Sequence, residues 1–220
     1  MRYLIALFAL LLAFPAAAAP IIGQPAPAFT GKDTLGNDRS LATYLGKTVV
    51  LEWTNHECPY VKKHYDSGNM QKTQEEAARD GVIWLRIISS GEGQQGYVMP
   101  EQANRIIAEE HAVATATLLD TTGDIGRAYA AKTTPHMFVI DPNGVLVYGG
   151  AIDDKPTSDV ADVATAKNYV KTVLDDLKAG RPVSVGETKS YGCGVKYGTA
   201  ESVEPAVAPA ADPQSAPDAQ

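Results

Sequence analysis

Cysteine is scarce in this sequence, because only Cys58 and Cys193 occur among its 220 residues. Two cysteines are the smallest number that can form an internal disulfide. A Cys-x-x-Cys motif is absent, since Val61 occupies the position three residues after Cys58. Dithiol exchange within one such motif is therefore excluded, and any disulfide inside the chain has to join residues 58 and 193.

Clusters of basic residues are also absent. The chain has 19 Lys and Arg residues against 26 Asp and Glu residues, which gives a formal net charge of −7. An acidic balance without a basic patch argues against nucleic acid as a partner and offers no attraction to anionic lipid. We therefore expect the chain to bind no nucleic acid.

Long apolar runs are confined to the N-terminus. Met1 and Arg2 give a positive start, Tyr3–Phe14 is almost wholly apolar, and Pro15–Ala19 supplies small residues for cleavage. This order is typical of a secretory signal peptide, and the apolar run is shorter than the roughly 20 residues of a transmembrane helix. We expect residues 1–19 to be removed and the mature protein to be periplasmic or secreted, with no stable membrane insertion.

Aromatic residues are missing from the last twenty positions. Residues 201–220 consist mainly of Ala, Pro, Asp, Ser and Gln, with two valines. Such a composition cannot bury enough apolar surface to offset its ordering entropy, so the sequence predicts a disordered tail there. The remaining residues 20–200 are enough for one domain with a full core.

Between these ends, strand patterns alternate with helix patterns. Predicted strands cover residues 48–53, 82–88 and 117–119, and a hairpin with an Asn-Gly turn covers residues 137–148. Predicted helices cover residues 59–79 with a break at 66–69, then 100–111, 124–131 and 159–177. This order indicates an α/β fold with a mixed central sheet and helices on its faces.

Cys58 lies where a buried strand passes into a helix. Pro59 suits the first helical position, so Cys58 falls at the helix N-terminus. The unpaired N–H groups and the helix dipole stabilise a thiolate there, and the thiolate is the reactive form of cysteine. We predict that Cys58 is a nucleophile; the alternatives are a small buried apolar residue or one half of a structural disulfide.

Three motifs give the chain a family resemblance that covers residues 22–197. They are the lead-in Gly23–Phe29, the strand that ends in Cys58-Pro59, and Thr133–Asp141. On these residues the chain resembles the thioredoxin-like superfamily, in its peroxiredoxin-like (redoxin, AhpC/TSA-type) branch. The resemblance implies a thioredoxin fold, in which Thr134 and Pro135 form a cis-proline loop facing the redox cysteine and holding the partner's backbone.

Two positions depart from the pattern of true peroxiredoxins. The threonine expected three residues before the cysteine is replaced by Asn55, while Thr54 lies one residue earlier. Pro135 occupies the position of the expected arginine, three residues before Phe138. Both departures weigh against activation of a peroxide by the usual threonine and arginine.

Glu52 and Cys193 complete the predicted catalytic set. The resemblance extends to Glu52, because thioredoxins carry a buried acid six residues before the nucleophile. A buried carboxyl group suits proton transfer to or from a thiol, whereas the alternative is a Glu at the rim or one paired with Lys62 or Lys132. Cys193 lies between two glycines, in an element similar to a Gly-Cys-x-[Ile/Val]-Lys motif of one peroxiredoxin-like subgroup. We predict that it resolves the intermediate formed on Cys58; an inert structural disulfide is the alternative.

Other features of the sequence have simpler interpretations. Gly91–Gly96 matches G-x-G-x-x-G, but no helix follows directly, so we interpret it as a mobile loop near the site. Copper binding by His56 and Cys58 lacks a second thiol, although His136 is one distant candidate ligand. His64 and His111 are interpreted as surface residues, and Trp53 and Trp84 as core aromatic residues.

These observations lead to one preferred function. It is an exported thiol-dependent oxidoreductase in which Cys58 is the nucleophile, Cys193 the resolving cysteine and Glu52 the proton shuttle. Its partner is a thiol or disulfide protein or a peroxide, and it needs no metal or organic cofactor because electrons pass through thiols. The alternatives are a thiol peroxidase, a non-catalytic binding module with one disulfide and, third, a metallochaperone.

Overall fold

A computed structural model describes residues 19–198 of the chain. The predicted tail at 201–220 and all but the last residue of the predicted signal peptide lie outside these residues. Within residues 19–198, no helix is both long and apolar enough to cross a membrane.

The strands and helices follow the alternation read from the sequence. The strands are β1 (Thr30–Lys32), β2 (Asp38–Ser40), β3 (Val49–Trp53), β4 (Ile83–Ile88), β5 (Ala116–Leu119), β6 (Thr133–Thr134), β7 (His136–Ile140), β8 (Leu146–Gly150) and β9 (Cys193–Gly194). The α-helices are α1 (Pro59–Asp66), α2 (Asn69–Arg79), α3 (Pro100–Glu109), α4 (Asp124–Ala128) and α5 (Tyr169–Lys178), and 3-10 turns cover Leu41–Tyr44 and Val160–Thr165.

A five-stranded sheet in the order β5-β4-β3-β7-β8 forms the centre. β3, β4 and β5 are parallel, whereas β7 runs antiparallel to β3 and β8 antiparallel to β7. All five residues of β3 are buried, as its apolar sequence predicts for a strand covered on both faces. The predicted α/β fold with a mixed central sheet is confirmed.

Each face of the sheet has its own apolar core. Trp53 and Phe138 pack on one face with Ile125 from α4. Val50 and Val139 pack on the other face, which α1, α2 and α5 cover with residues such as Val61, Met70, Ala77 and Val173. Trp53 and Trp84 are both buried, so their interpretation as core aromatic residues is confirmed.

The last predicted helix is wrong in its continuity. A 3-10 turn and α5 replace the single helix expected at 159–177. Two separate caps explain the break, because the Asp159 side chain accepts from Ala161 N and the Asn168 side chain accepts from Lys171 N. A side-chain cap on Asn168 starts a new helix, since it satisfies N–H groups that a continuous helix would bond internally.

The antiparallel pairing of β3 and β7 determines where the site lies. Trp53, the last residue of β3, pairs with His136, the first residue of β7. The loop that follows β3 and the loop that precedes β7 therefore meet at the same edge of the sheet. These loops carry Cys58 and the Thr134–Pro135 bond, respectively.

Candidate active site

Cys58 caps the N-terminus of α1. Its backbone is extended, Pro59 occupies the first helical turn, and the Cys58 carbonyl accepts hydrogen bonds from Val61 N at 3.0 Å and Lys62 N at 2.9 Å. The Cys58 N–H in turn donates to the Asn55 carbonyl at 3.0 Å, which fixes the preceding loop. The residue is fully buried, with an exposed fraction of 0%. Strand, loop and proline thus place the sulfur where helix N–H groups face it.

Cys193 lies directly against Cys58, although 135 residues separate them. The two Sγ atoms are 2.7 Å apart, and Cys58 Sγ also contacts the Thr134 carbonyl oxygen at 3.1 Å. Both cysteines are free thiols, and Cys193 is only partly buried. The sulfurs are therefore in contact but not bonded, since a disulfide bond measures about 2.05 Å.

The two thiols differ in acidity. Burial raises the pKa of Cys58, but hydrogen bonds with the Cys193 and Thr134 side chains outweigh this effect and hold that pKa below its usual value. Burial raises the pKa of Cys193, and the neighbouring Cys58 sulfur raises it further. Cys58 is consequently the thiol that ionises first, and Cys193 is the one that keeps its proton.

The loop before β7 forms one wall of the site. Its Thr134–Pro135 peptide bond is cis, and Thr134 is buried. β6 pairs with β9 so that Thr134 stands opposite Cys193 and Thr133 opposite Gly194. The backbone edge at Thr134 is thus taken by this chain's own residues.

A stretch that we call the C-terminal segment, residues 187–198, carries Cys193 across the sheet edge. At its start the Thr188 N–H donates to the Gly149 carbonyl at 3.1 Å. Beyond Cys193, Val195 N donates to the Lys132 carbonyl at 3.1 Å and the Tyr197 hydroxyl to the Ala131 carbonyl at 2.8 Å. These contacts on both sides of Cys193 hold the segment over Cys58.

Glu52 is buried within the core but is occupied by other partners. Its carboxylate oxygens accept hydrogen bonds from the Tyr65 hydroxyl at 2.8 Å, Gln74 Nε2 at 3.0 Å and Trp84 Nε1 at 2.7 Å. Arg86 Nε lies 3.9 Å from Glu52 Oε1, so among residues 19–198 the carboxyl group faces this cation, and the alternative of a rim position or a pair with Lys62 or Lys132 is wrong. Among residues 19–198, neither Glu52 oxygen forms a hydrogen bond with a cysteine.

The glycine-rich loop at 91–96 lies beside the loop that precedes Cys58. Gly96 N donates to Glu57 Oε2 at 2.8 Å, and Gly91 N donates to the Lys196 carbonyl at 2.9 Å. The expected position near the site is thus found, with the loop tied both to residue 57 and to the C-terminal segment.

The histidines are distributed differently from the expectation. His111 is exposed, but His64 is fully buried, so its interpretation as a surface residue is wrong. His64 lies on the inward face of α1, where polar partners replace the water that a surface position provides. Burial lowers the pKa of His136 to about 4, and its Nδ1 accepts from Lys132 N at 3.2 Å. Within the described residues, no group of three or more His, Cys, Asp or Glu side chains is arranged to hold a metal ion.

Two features of the site could not be read from single motifs. The pairing of β6 with β9 involves only two residues on each strand, which is too short for a hydrophobic period. The partners of Tyr191 come from two parts of the sequence, α1 and the loop after β8, which both lie far from residue 191. The only sequence signal near them is the Tyr191–Lys196 element.

The fold has clear counterparts among solved structures. A hypothetical protein from Sinorhizobium meliloti 1021 aligns with a TM-score of 0.69 and 21% identity, over 82% of this chain and 97% of that one. An uncharacterized conserved protein from Geobacillus kaustophilus aligns with a TM-score of 0.69 and 25% identity, over 85% of this chain and 98% of its own. The thioredoxin domain of a thiol-disulfide oxidoreductase from Bacteroides vulgatus aligns with a TM-score of 0.48 and 23% identity, over 67% of this chain and 97% of that domain.

Sequence comparison identifies the family. No curated protein matches the chain. Residues 22–149, which make up more than half of the chain, match the AhpC/TSA family. The matched region spans the lead-in, β3, Cys58, the cis Thr134–Pro135 bond and the β7–β8 hairpin. Its mixed five-stranded sheet and the cis Thr134–Pro135 bond beside Cys58 agree with the thioredoxin fold that the family resemblance implies. The chain therefore belongs to the AhpC/TSA family.

Proposed function

We propose that this chain is a thiol–disulfide oxidoreductase in which Cys58 is the nucleophile and Cys193 the resolving cysteine. The observation that carries the proposal is the 2.7 Å contact between their sulfurs. A nucleophile at a helix N-terminus and a second thiol within reach are the two components that exchange through a mixed disulfide requires.

The exchange proceeds in two steps. The Cys58 thiolate attacks one sulfur of a partner disulfide, so that a Cys58–partner bond forms and the partner's other sulfur leaves as a thiolate. Cys193 then passes its proton to that departing thiolate and attacks the Cys58 sulfur, which forms the 58–193 disulfide and releases the partner's second sulfur as a thiolate. Two electrons pass from the chain to the partner, and reduction of the chain reverses the same steps.

The difference in acidity between the two thiols suits these roles. The lowered pKa of Cys58 supplies a thiolate for the first step and makes Cys58 the better leaving group when the Cys58–partner disulfide is cleaved in the reverse direction. The raised pKa of Cys193 keeps that thiol protonated until the first step has occurred. Cys193 therefore does not compete for the partner.

Access to Cys58 requires the C-terminal segment to move. Cys58 is fully buried, and Cys193 occupies the backbone edge of Thr134 through the β6–β9 pairing. A partner that docks its own backbone against Thr134 and Pro135 takes the place of β9. Because β6 and β9 pair over only two residues each, their separation costs less free energy than opening the central sheet.

Peroxide reduction is the second candidate, because the AhpC/TSA family match favours it. In that reaction the Cys58 thiolate attacks a peroxide oxygen, an alcohol or water leaves, and Cys58 becomes a sulfenic acid. Cys193 then condenses with it, releasing water and forming the same 58–193 bond. Asn55 and Pro135, which replace the expected threonine and arginine, weigh against high peroxidase activity.

The proposed compartment is the periplasm or the exterior of the cell. The basis is the order of charge, apolar run and small residues over positions 1–19. In an oxidising compartment, protein disulfides and dithiols are available as partners. Expression of the full chain, followed by fractionation and N-terminal sequencing, tests this: a mature start near residue 20 supports export, and an intact Met1 in the cytosol overturns it.

The function itself is tested by following both cysteines during oxidation. The fully reduced chain is mixed with oxidised glutathione or with hydrogen peroxide, and the products are mapped by peptide mass spectrometry. We expect glutathione to give a 58–193 disulfide with release of two reduced glutathiones, at a higher second-order rate than peroxide. A faster reaction with peroxide selects the peroxidase, and no 58–193 bond with either oxidant overturns the two-cysteine mechanism.

A further inference from the structure

Three buried side chains, which no step of the proposed exchange uses, meet the partly buried Tyr191 of the C-terminal segment. Lys63 and His64 lie on α1, Asp153 follows β8, and Tyr191 precedes Cys193 by two residues. Lys63, His64 and Asp153 are exposed by 2% or less. We refer to these four residues as the Tyr191 anchor.

The hydrogen bonds of the anchor run in one direction. Asn69 Nδ2 lies 2.9 Å from His64 Nδ1, so this amide donates to Nδ1 and the proton of the neutral ring is on Nε2. Nε2 then donates to the Tyr191 hydroxyl oxygen at 3.2 Å, and the hydroxyl donates to Asp153 Oδ1. Burial lowers the pKa of His64 to about 4 and raises the pKa of Tyr191, so both groups are neutral at pH 7.

Charge and ring contacts hold Tyr191 from further sides. Lys63 Nζ lies 3.8 Å from Asp153 Oδ2, donates to the Lys155 carbonyl at 2.7 Å and stands 5.6 Å from the centre of the Tyr191 ring. The Tyr60 ring approaches the Tyr191 ring with 5.9 Å between their centres. The hydroxyl is thus bonded to protein, and the ring has Lys63 and Tyr60 as neighbours.

The placement of the anchor connects it to the reacting atoms. α1 supplies Tyr60, Lys63 and His64, and the same helix is capped by Cys58. Tyr191 is separated from Cys193 only by Gly192. The anchor therefore ties the segment that carries one sulfur to the helix that carries the other, and its hydrogen bonds within residues 19–198 involve neither sulfur.

A buried ion pair such as Lys63–Asp153 contributes little net stability, since desolvation offsets the attraction. The anchor can still orient Cys193, because a thiol held in place attacks its neighbour at a high effective concentration. Resting on the function proposed above, we propose that Tyr191 is a positioning residue that sets the effective concentration of the Cys193 thiol at Cys58, with Asp153 and His64 as its partners.

The test compares Tyr191→Phe with a matched loss of a hydroxyl elsewhere. Full-length wild type and variants are equilibrated in glutathione buffers, free thiols are trapped, and the ratio of reduced to 58–193 oxidised chain gives the equilibrium constant. Loss of a hydrogen bond to a charged group changes an equilibrium constant by about tenfold or more. We therefore expect Tyr191→Phe to lower the constant for the 58–193 bond by at least about tenfold. Asp153→Asn keeps an accepting oxygen, and we expect a smaller decrease.

Tyr129→Phe is the control, because the Tyr129 hydroxyl is also bonded, to the Pro27 carbonyl at 2.8 Å, but lies outside the C-terminal segment. We expect its constant to stay within about twofold of wild type, with a melting temperature no higher than that of Tyr191→Phe. Equal constants for Tyr191→Phe and Tyr129→Phe overturn the positioning role while leaving the proposed function intact. Absence of any 58–193 bond in the wild type overturns the proposed function, and the positioning role with it.

Discussion

The two cysteines are held by regions of very different construction. Cys58 lies between a fully buried five-residue strand and the first turn of α1, and its own exposure is 0%. Cys193 lies in a two-residue strand within a segment that has no helix, and it is partly exposed. The central sheet thus fixes the nucleophile, while a small number of separate contacts fix the resolving thiol.

This difference separates the reactivity of Cys58 from the equilibrium that forms the 58–193 bond. Changes near Cys58 remove the reactive group or the fold that presents it. Changes in the C-terminal segment leave the nucleophile in place and alter how often the second sulfur is within reach. The predictions below test this separation at progressively smaller effects.

The largest effect is expected from Cys58→Ser. This variant loses its exchange with oxidised glutathione, because the nucleophile is gone and burial still raises the pKa of Cys193. The matched variant Cys193→Ser keeps the nucleophile and stops after one step, with one glutathione bound to Cys58. Mass spectrometry of the intact chains distinguishes the two results; a glutathione adduct on the Cys58→Ser chain contradicts the assignment of roles.

The two glycines that flank Cys193 provide the second test. Gly192 has a φ of +127°, and a Cβ there meets the Thr134 carbonyl oxygen, whereas a Cβ at Gly194 has only the Lys132 oxygen at 3.9 Å. Backbone strain of this kind costs of order 1–3 kcal/mol, so Gly192→Ala lowers the equilibrium constant for the 58–193 bond by about tenfold or more. For Gly194→Ala we expect the free energy of forming the 58–193 bond to stay within about 0.5 kcal/mol of wild type. Glutathione equilibration measures both, and equal effects of the two substitutions would show that the close approach to Thr134 is unimportant.

Glu52→Gln tests whether the buried acid belongs to the fold or to the redox reaction. The variant loses the charge opposite Arg86 and places an amide donor where Tyr65, Gln74 or Trp84 now donate. We expect unfolding in urea to require about 3 kcal/mol less free energy than in wild type. The exposed control Glu75→Gln, whose pair with Arg79 is open to solvent, changes by less than about 1 kcal/mol.

The same Glu52→Gln chain also reports on proton transfer. Because no hydrogen bond joins Glu52 to a cysteine within residues 19–198, we expect the pH profile of glutathione exchange to match wild type. A displaced profile in a folded Glu52→Gln chain supports the proton-shuttle role predicted from the sequence.

The smallest effect concerns the acidity of Cys58. Burial raises its pKa and the hydrogen bond with Cys193 lowers it, so Cys193→Ala removes a lowering contribution and raises that pKa. The pH at which alkylation of Cys58 by iodoacetamide reaches half its maximum rate therefore moves upward in the variant. Peptide mapping at each pH gives this midpoint, and a midpoint that stays or falls contradicts the hydrogen bond as its cause.

Much of the fold followed from local patterns. The strands of the central sheet have apolar runs or a hairpin turn, and Pro59 marks the start of α1. The single long helix expected at 159–177 was wrong, because the caps at Asp159 and Asn168 divide it. β6 and β9 escaped prediction since two residues carry no periodicity.

The site was predictable only in part. The position of Cys58 at a helix N-terminus depends on neighbouring residues, so the sequence indicated it. The contact with Cys193 depends on how residues 187–198 cross the sheet edge, and spacing along the chain holds no information about that path. The burial of His64 depends on Asp153 and Tyr191, which lie far away in sequence. The pattern around His64 therefore does not reveal it, and the surface position that the sequence predicts is wrong.

The reduction potential of the Cys58–Cys193 couple tests the central claim most directly. The mature chain is equilibrated with glutathione or dithiothreitol at fixed pH, and free thiols are trapped and counted by mass. We predict a bond that opens reversibly in the folded chain at a potential above about −250 mV, in the range of working redox pairs. A bond with a potential below about −300 mV that resists reduction until the chain unfolds would contradict a redox role and leave a structural disulfide.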